Sequence, residues 1–162
     1  MIRGASAHKN SLRFRAIRRI EVLIPDQRAD FPWICATSAD QLVATDTPHL
    51  FATTSAAASF ISSVILPGQT PCLRCLHLHR CDQDPGWPMI DLQVSHNPIV
   101  DSASITLILN TAMEVVRAVC AWVDQVETRG SQVLELGNDL DSVETYPTFF
   151  HPSCGCRWDK TP

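Results

Sequence analysis

The order of apolar runs predicts an α/β fold with a largely parallel sheet and one antiparallel hairpin. Three observations carry this. Short β-rich runs alternate with helical stretches, one long amphipathic helix divides the chain, and two neighbouring strands are joined by a link too short for a crossover.

The first strand is Ile20-Glu-Val-Leu-Ile24, stopped by Pro25. A short helix is expected over residues 37–45, and Pro48 precedes a second extended run, His49-Leu-Phe-Ala-Thr-Thr54. The small-residue link Ser55-Ala-Ala-Ala-Ser59 leads to Phe60-Ile-Ser-Ser-Val-Ile-Leu66, closed by Pro67-Gly68, so these two runs form the hairpin. The clearest helix spans about residues 102–126, with Asp101 or Ser102 as N-cap. Ile105, Leu109, Ala112, Val116, Val119 and Val123 recur at steps of three and four and are expected to face the core. Thr106, Asn110, Glu114, Arg117 and Asp124 mark the opposite, solvated stripe. Gln132-Val-Leu-Glu-Leu136 alternates like a half-buried strand, and Glu144 to Phe150 is a last extended segment interrupted by Pro147.

With 162 residues, 45% of them hydrophobic, the chain has the makings of one domain with a real core. A net charge of −4 argues against a nucleic-acid partner, because phosphate binding calls for a basic face. Lys9, Arg13, Arg15, Arg18 and Arg19 are the exception, and residues 1–19 read as a basic, flexible segment. No run reaches the roughly 18 apolar residues needed to cross a bilayer, and no secretory signal is visible, so a cytoplasmic protein is expected. In a reducing compartment the seven cysteines are then metal ligands, redox groups or inert packing rather than disulfides.

Pro71-Cys72-Leu-Arg-Cys75 sets two thiols on one tight turn, and Cys154-Gly-Cys156 supplies a second pair. Gly155 permits the backbone angles that so short a spacing requires. Four thiolates suit a closed tetrahedral zinc site, with Cys72, Cys75, Cys154 and Cys156 as ligands and zinc in a structural role. His151 is a possible substitute ligand. Cys72 and Cys75 alone could instead form a redox dithiol, which leaves the second pair unexplained. Cys81 lies beside His77, His79 and Arg80, where positive charge favours a thiolate, although a partly buried bystander is the plainer reading. Cys35 and Cys120 read as inert thiols, and His77 and His79 as solvent-facing or hydrogen-bonded rings.

Pro67-Gly-Gln-Thr-Pro-Cys-Leu-Arg-Cys75, Leu76-His-Leu-His-Arg80, Asp82-Gln-Asp-Pro-Gly-Trp-Pro88 and His151-Pro-Ser-Cys-Gly-Cys-Arg-Trp158 together resemble a known group. They look like the actinobacterial branch of the ThiF/MoeB/HesA family, relatives of the ubiquitin-activating enzymes, over about residues 20–158. The resemblance implies a partial Rossmann-like, three-layer fold, with residues 20–162 as the zinc-bearing C-terminal half of an adenylyltransferase domain. It also implies ATP and magnesium as cofactors, a small carrier protein or complementary subunit as partner, and an oligomer. Ser62-Ser63 departs from the Gly-Pro that this branch often carries there. Gly4, Gly68, Gly86, Gly130, Gly137 and Gly155 form no GxGxxG and no P-loop, so no residue is assigned to nucleotide. The resulting expectation is a zinc-stabilised subunit or degenerate homologue that needs a partner for ATP. The alternatives are a non-catalytic zinc-stabilised protein-binding module and a CxxC thiol redox protein.

Overall fold

The computed structural model describes residues 20–24, 36–96, 102–124, 126, 130–139 and 142–157; the basic residues 1–19 and Cys35 lie outside them. Nine elements follow in order: β1 (Glu21–Leu23), α1 (Ala36–Ala44), β2 (His49–Thr54), β3 (Ala58–Ser62), α2 (Leu73–Gln83), α3 (Trp87–His96), α4 (Ile105–Val123), β4 (Gln132–Gly137) and β5 (Val143–Pro147).

The five strands form one open sheet in sequence order, and only β1 and β2 run parallel. The expectation of a largely parallel sheet is therefore corrected: β2–β3, β3–β4 and β4–β5 are all antiparallel. The cause is local. Between β2 and β3 the chain turns within Ser55, where Oγ takes the N–H groups of Ala57 and Ala58 at 3.2 Å each. A link of that length can only make a hairpin, and parallel pairing needs a crossover of a dozen or more residues. The hairpin itself forms where the sequence places it, with strand β3 beginning two residues earlier than Phe60.

Strand alternation gives the sheet two apolar faces. Phe51 and Val133 pack with Ala39, Ile65 and Leu73 on the face covered by α1 and α2. Ala52, Ile61, Leu134 and Leu136 pack with Leu107 of α4 on the other. Helices therefore lie on both faces of the sheet. Thr111 is the polar pin beneath α4, its Oγ1 lying 2.7 Å from both the Leu107 carbonyl and Ser59 Oγ, so no hydroxyl is stranded in the core.

The long helix begins at Ser104, whose hydroxyl accepts the Leu107 N–H at 3.2 Å, rather than at Asp101 or Ser102. Its orientation also corrects the sequence reading. Ile105, Leu109, Ala112, Val116 and Val123 face outward, while Leu107 and Thr111 are buried. The helix is apolar on both sides, so periodicity alone could not tell which face the sheet takes. By length and composition α4 also meets the requirement for crossing a bilayer, with a mean hydropathy of 1.4, contrary to the expectation that no segment does.

α2 and α3 are not anticipated from the sequence. Leu76-His-Leu-His79 alternates with period two and hides the helical repeat.

His49 is fully buried, with Nδ1 2.8 Å from the Thr47 carbonyl and Nε2 without a hydrogen-bond partner among the described residues. Burial lowers its pKa below 6.5, outweighing the carbonyl contact. The unfolded chain then binds the proton more readily, so stability from this group is full above about pH 6.5 and is lost as pH falls through the folded value. His49→Phe is expected to flatten the decline in thermal midpoint between pH 7 and 5 relative to wild type, read by calorimetry with zinc in equal excess.

Candidate metal centre

Cys72 is the N-cap of α2, with extended backbone (φ −90°, ψ 174°) and a side chain that makes no capping hydrogen bond. Its sulfur is thereby left to point elsewhere. Cys75 follows in the first turn, its N–H donating to the Cys72 carbonyl at 3.0 Å. The two thiols thus sit on a helix start, not on the isolated tight turn expected from the spacing. A helix N-terminus adds positive potential that favours thiolates.

The second pair arrives from the C-terminal turn. Cys154 N–H donates to the His151 carbonyl at 3.0 Å, and Gly155 takes φ +72°. Gly68, at φ +75°, forms a parallel bridge with Arg157, stitching this turn to the loop after β3. Leu66 N–H to Thr70 Oγ1 at 2.8 Å closes that loop in turn.

The four sulfurs converge. Cys72 Sγ lies 3.9 Å from Cys75 Sγ and 3.4 Å from Cys154 Sγ, and Cys75 Sγ lies 3.3 Å from Cys156 Sγ. All four fall within 4.8 Å of one another, a cluster able to hold a metal ion. Four thiolates at 2.3 Å from one tetrahedral ion stand about 3.8 Å apart, so closing on an ion needs shifts of no more than about 1 Å in any pair. Cys72, Cys75 and Cys156 are buried and Cys154 is half-buried, and all four thiols are free. The Cys72 S–H bond to Cys75 brings the Cys75 pKa down to about 4. The same bond, with burial, holds Cys72 protonated far above its usual range, and burial first raises Cys154 to about 12. A second negative charge in this quartet thus needs a cation beside it.

His151 is not among the sulfurs. Its Nε2 lies 2.8 Å from Asp82 Oδ2, and its ring meets that of His79 edge-on at 4.8 Å between centroids. His79, Asp82 and His151 form a second cluster by distance. The hydrogen bonds argue against an ion there: Ser153 N–H donates to His151 Nδ1 at 3.1 Å, so the ring proton sits on Nε2 and points at Asp82. The Nδ1 lone pair is taken by that N–H, and Nε2 bears the proton, so neither nitrogen is open to an ion. The side chain of His151, only 7% exposed, is instead a clamp from the C-terminal turn to α2. His79 adds a contact of Nε2 with the Phe149 carbonyl at 3.2 Å. The i, i+3 spacing of His79 and Asp82 would have indicated this clamp once α2 was read as a helix.

Cys81 lies 3.5 Å from His77 Nε2 one helical turn away, half-buried and outside the sulfur cluster, and Cys120 is exposed on α4. A cavity of about 310 Å³ between α4 and the sheet is walled by Ile61, Val64, Ala118 and Leu134, with the Glu114–Arg117 ion pair at its rim. Ser62 and Ser63 also line it, Ser62 Oγ accepting the Phe51 N–H at 3.0 Å and Ser63 Oγ the Gln132 N–H at 3.2 Å.

No protein-family model matches this chain, and no curated protein matches it in sequence. Solved structures do. MccB of E. coli with MccA shares 17% identity at a TM-score of 0.58, covering 85% of this chain and 38% of that one, and MccB with ATP aligns with the same figures. A heterocyclase in complex with substrate and cofactor aligns at 12% identity and a TM-score of 0.64, over 85% of this chain and 20% of its own. The heterocyclase TruD gives 12% and 0.54, over 85% and 22%. The chain thus spans about two-fifths of MccB and one-fifth of the heterocyclases, and at these identities the likeness is one of fold.

These findings overturn the resemblance to the ThiF/MoeB/HesA family. The proteins sharing the fold are MccB and heterocyclases, and the ThiF-type adenylyltransferase reading is withdrawn with its ubiquitin-activating associations. Neither alternative gains support. The non-catalytic binding module has no counterpart among these enzymes, and Cys72 and Cys75 are not an isolated redox dithiol, because each touches a thiol of the other pair.

Gly155 has no atom within 4 Å of where a Cβ would stand, so only its φ of +72° demands glycine. Gly155→Ala is expected to cost about 1–2 kcal/mol through the left-handed backbone alone. Gly130→Ala, in equally open space without that angle, is the neutral control, with both read as thermal midpoints.

Proposed function

We propose that this chain is one part of an enzyme of the MccB and TruD heterocyclase kind, the part that receives an extended segment of a protein or peptide substrate. Zinc, held by Cys72, Cys75, Cys154 and Cys156, fastens the receiving sheet to its C-terminal turn. The observation that carries the reading is the open edge formed by β5. All five of its residues are exposed, and β4 is its sole strand neighbour among the described residues. An unpaired edge presents a row of backbone donors and acceptors that an incoming strand completes.

The edge has a charge preference. Glu135 and Glu144 stand directly opposite each other across β4 and β5, a repulsive pairing. Tyr146 shields one of them, its hydroxyl donating to Glu144 at 2.5 Å, and that carboxylate holds the phenol pKa well above 10. A substrate segment carrying Lys or Arg relieves the rest. MccB with MccA and the heterocyclase with its substrate give precedent for such a partner in this fold. A cytoplasmic setting fits, since reducing conditions keep the four thiols free for zinc.

Four sulfur donors with no oxygen among them favour zinc over the harder divalent ions, and four thiolates would fill a tetrahedral ion's coordination. Such a site carries no catalytic step. Purified chain is expected to hold about one zinc per molecule, measured by elemental analysis. Cys72→Ser or Cys154→Ser should release it and lower the thermal midpoint, whereas Cys81→Ser and Cys120→Ser should keep it. Retention of full zinc by Cys154→Ser would remove that residue from the ligand set.

Substrate reception is tested by hydrogen exchange with synthetic extended peptides that carry Lys and Arg. Protection is expected at residues 143–147, and Glu144→Lys should weaken binding of a basic segment about tenfold, the equivalent of one lost charge-assisted contact. Binding that protects other residues and ignores Glu144→Lys would sink the reading.

A further inference from the structure

The sheet-facing stripe of α4 changes size along its length. Leu107 and Thr111 are buried against the sheet, and the stripe continues at steps of three and four through Glu114, Ala118 and Ala121. Two alanines do not fill the room over Ile61, Val64 and Leu134, and the cavity of about 310 Å³ opens there. Its walls are mostly apolar, whereas its rim carries a half-buried carboxylate and a guanidinium, Glu114 Oε1 and Arg117 Nη1 standing 3.0 Å apart. We propose that this cavity binds one apolar α-amino acid of about the size of leucine, its side chain beneath Ala118 and Ala121 and its zwitterionic head on the Glu114–Arg117 pair.

Size and charge together select the occupant. The volume lies at the small end of the roughly 300–1,000 Å³ of ligand sites, so it takes one small molecule rather than a stretch of chain. The two opposite charges at the rim then decide the head group. An apolar ligand with a carboxylate alone meets Arg117 but also Glu114, and one with an amine alone meets Glu114 but also Arg117. Either sets a like charge beside the attractive one. A ligand without charge strips water from the ion pair and offers nothing in return. An α-amino acid carries both charges on one carbon, so its carboxylate reaches Arg117 while its ammonium reaches Glu114. A peptide holds those charges at opposite ends and cannot do so.

The resident ion pair stays intact in this arrangement. It engages one guanidinium nitrogen and one carboxylate oxygen, while a guanidinium has further N–H donors and a carboxylate a second oxygen. Each side chain keeps its partner and adds one, giving a ring of alternating charge with charge-assisted hydrogen bonds. As an i, i+3 pair on a helix surface, Glu114 and Arg117 add little to the fold, so little opposes their turning toward a ligand. The cavity lies on the face of the sheet away from the sulfur cluster, which makes this binding independent of zinc and of reception at the β5 edge.

Isothermal calorimetry on the zinc-loaded chain is expected to show one saturable site for leucine, at roughly millimolar affinity or tighter for a ligand of about nine non-hydrogen atoms. Isocaproate, which lacks the ammonium, and isoamylamine, which lacks the carboxylate, should each bind about tenfold more weakly or worse. Arg117→Gln, at a side chain 65% exposed, should keep the circular dichroism of wild type and lose the preference for leucine over isoamylamine. Glu114→Gln should lose the preference for leucine over isocaproate. Ala118→Leu, which places a side chain in the cavity, should abolish leucine binding at unchanged zinc content, and the two charge variants carry the test where that substitution disturbs packing. No saturable leucine binding at concentrations about tenfold above the millimolar range overturns the proposal, as does binding that a folded Ala118→Leu chain retains. Equal binding of leucine, isocaproate and isoamylamine would mark an apolar void without head-group recognition and overturn the zwitterion assignment.

Discussion

Convergence of one cysteine pair from mid-chain with another from the C-terminal turn is the constraint on which the site depends. Cys72 and Cys154 are 82 residues apart in sequence, yet their sulfurs stand 3.4 Å apart. Closing a loop of that length costs chain entropy that grows only slowly with length, so a single strong tie there constrains much of the unfolded ensemble. The tie also orders what surrounds it. The Gly68–Arg157 bridge, the His151–Asp82 clamp and the His79 contact with Phe149 all run between the same two segments. Each is modest alone, and together they make the α2 start and the C-terminal turn one unit.

That unit sits on one face of the sheet and the long helix on the other, and the two faces use different physics. Around the sulfurs, Phe51, Ile65, Leu73 and Val133 exclude water, which strengthens the electrostatic pull of any cation on the thiols. Beneath α4 the contact runs over β2, β3 and β4: Leu107 is the helix's one fully buried large side chain, and Thr111 reaches Ser59 through a hydroxyl contact.

The sequence made the strands legible because their signals are local. Pro48 and the Ser55 turn bracket β2, and the alternation of Gln132 to Leu136 survives intact as β4. The sulfur quartet was legible for the same reason, since two short cysteine spacings need no knowledge of topology. What failed was non-local or masked. Strand direction depends on whether a crossover intervenes, and the face that α4 turns inward depends on a partner surface absent from a helix's own periodicity. Helix α2 was hidden because its apolar residues alternate with His77 and His79, the first set against Cys81 and the second serving the clamp.

The proposed function gives a reason for a four-sulfur cluster and an open sheet edge to occur together. A closed sulfur site offers no coordination position to a substrate, so its contribution lies in holding shape. A strand edge that accepts a flexible segment gains most when the edge is rigid before binding, because ordering both partners at once would cost conformational entropy on each side. The C-terminal turn of this chain leaves β5 by way of Thr148 and Phe149 and reaches the sulfurs within a few residues, and Thr148 N–H is held by the Ser131 carbonyl at 2.9 Å. Fixing Cys154 and Cys156 therefore fixes the end of the edge strand. On the proposed reading the sulfur cluster and the β5 edge are mechanically continuous through the chain itself, so the fastening precedes the docking that depends on it.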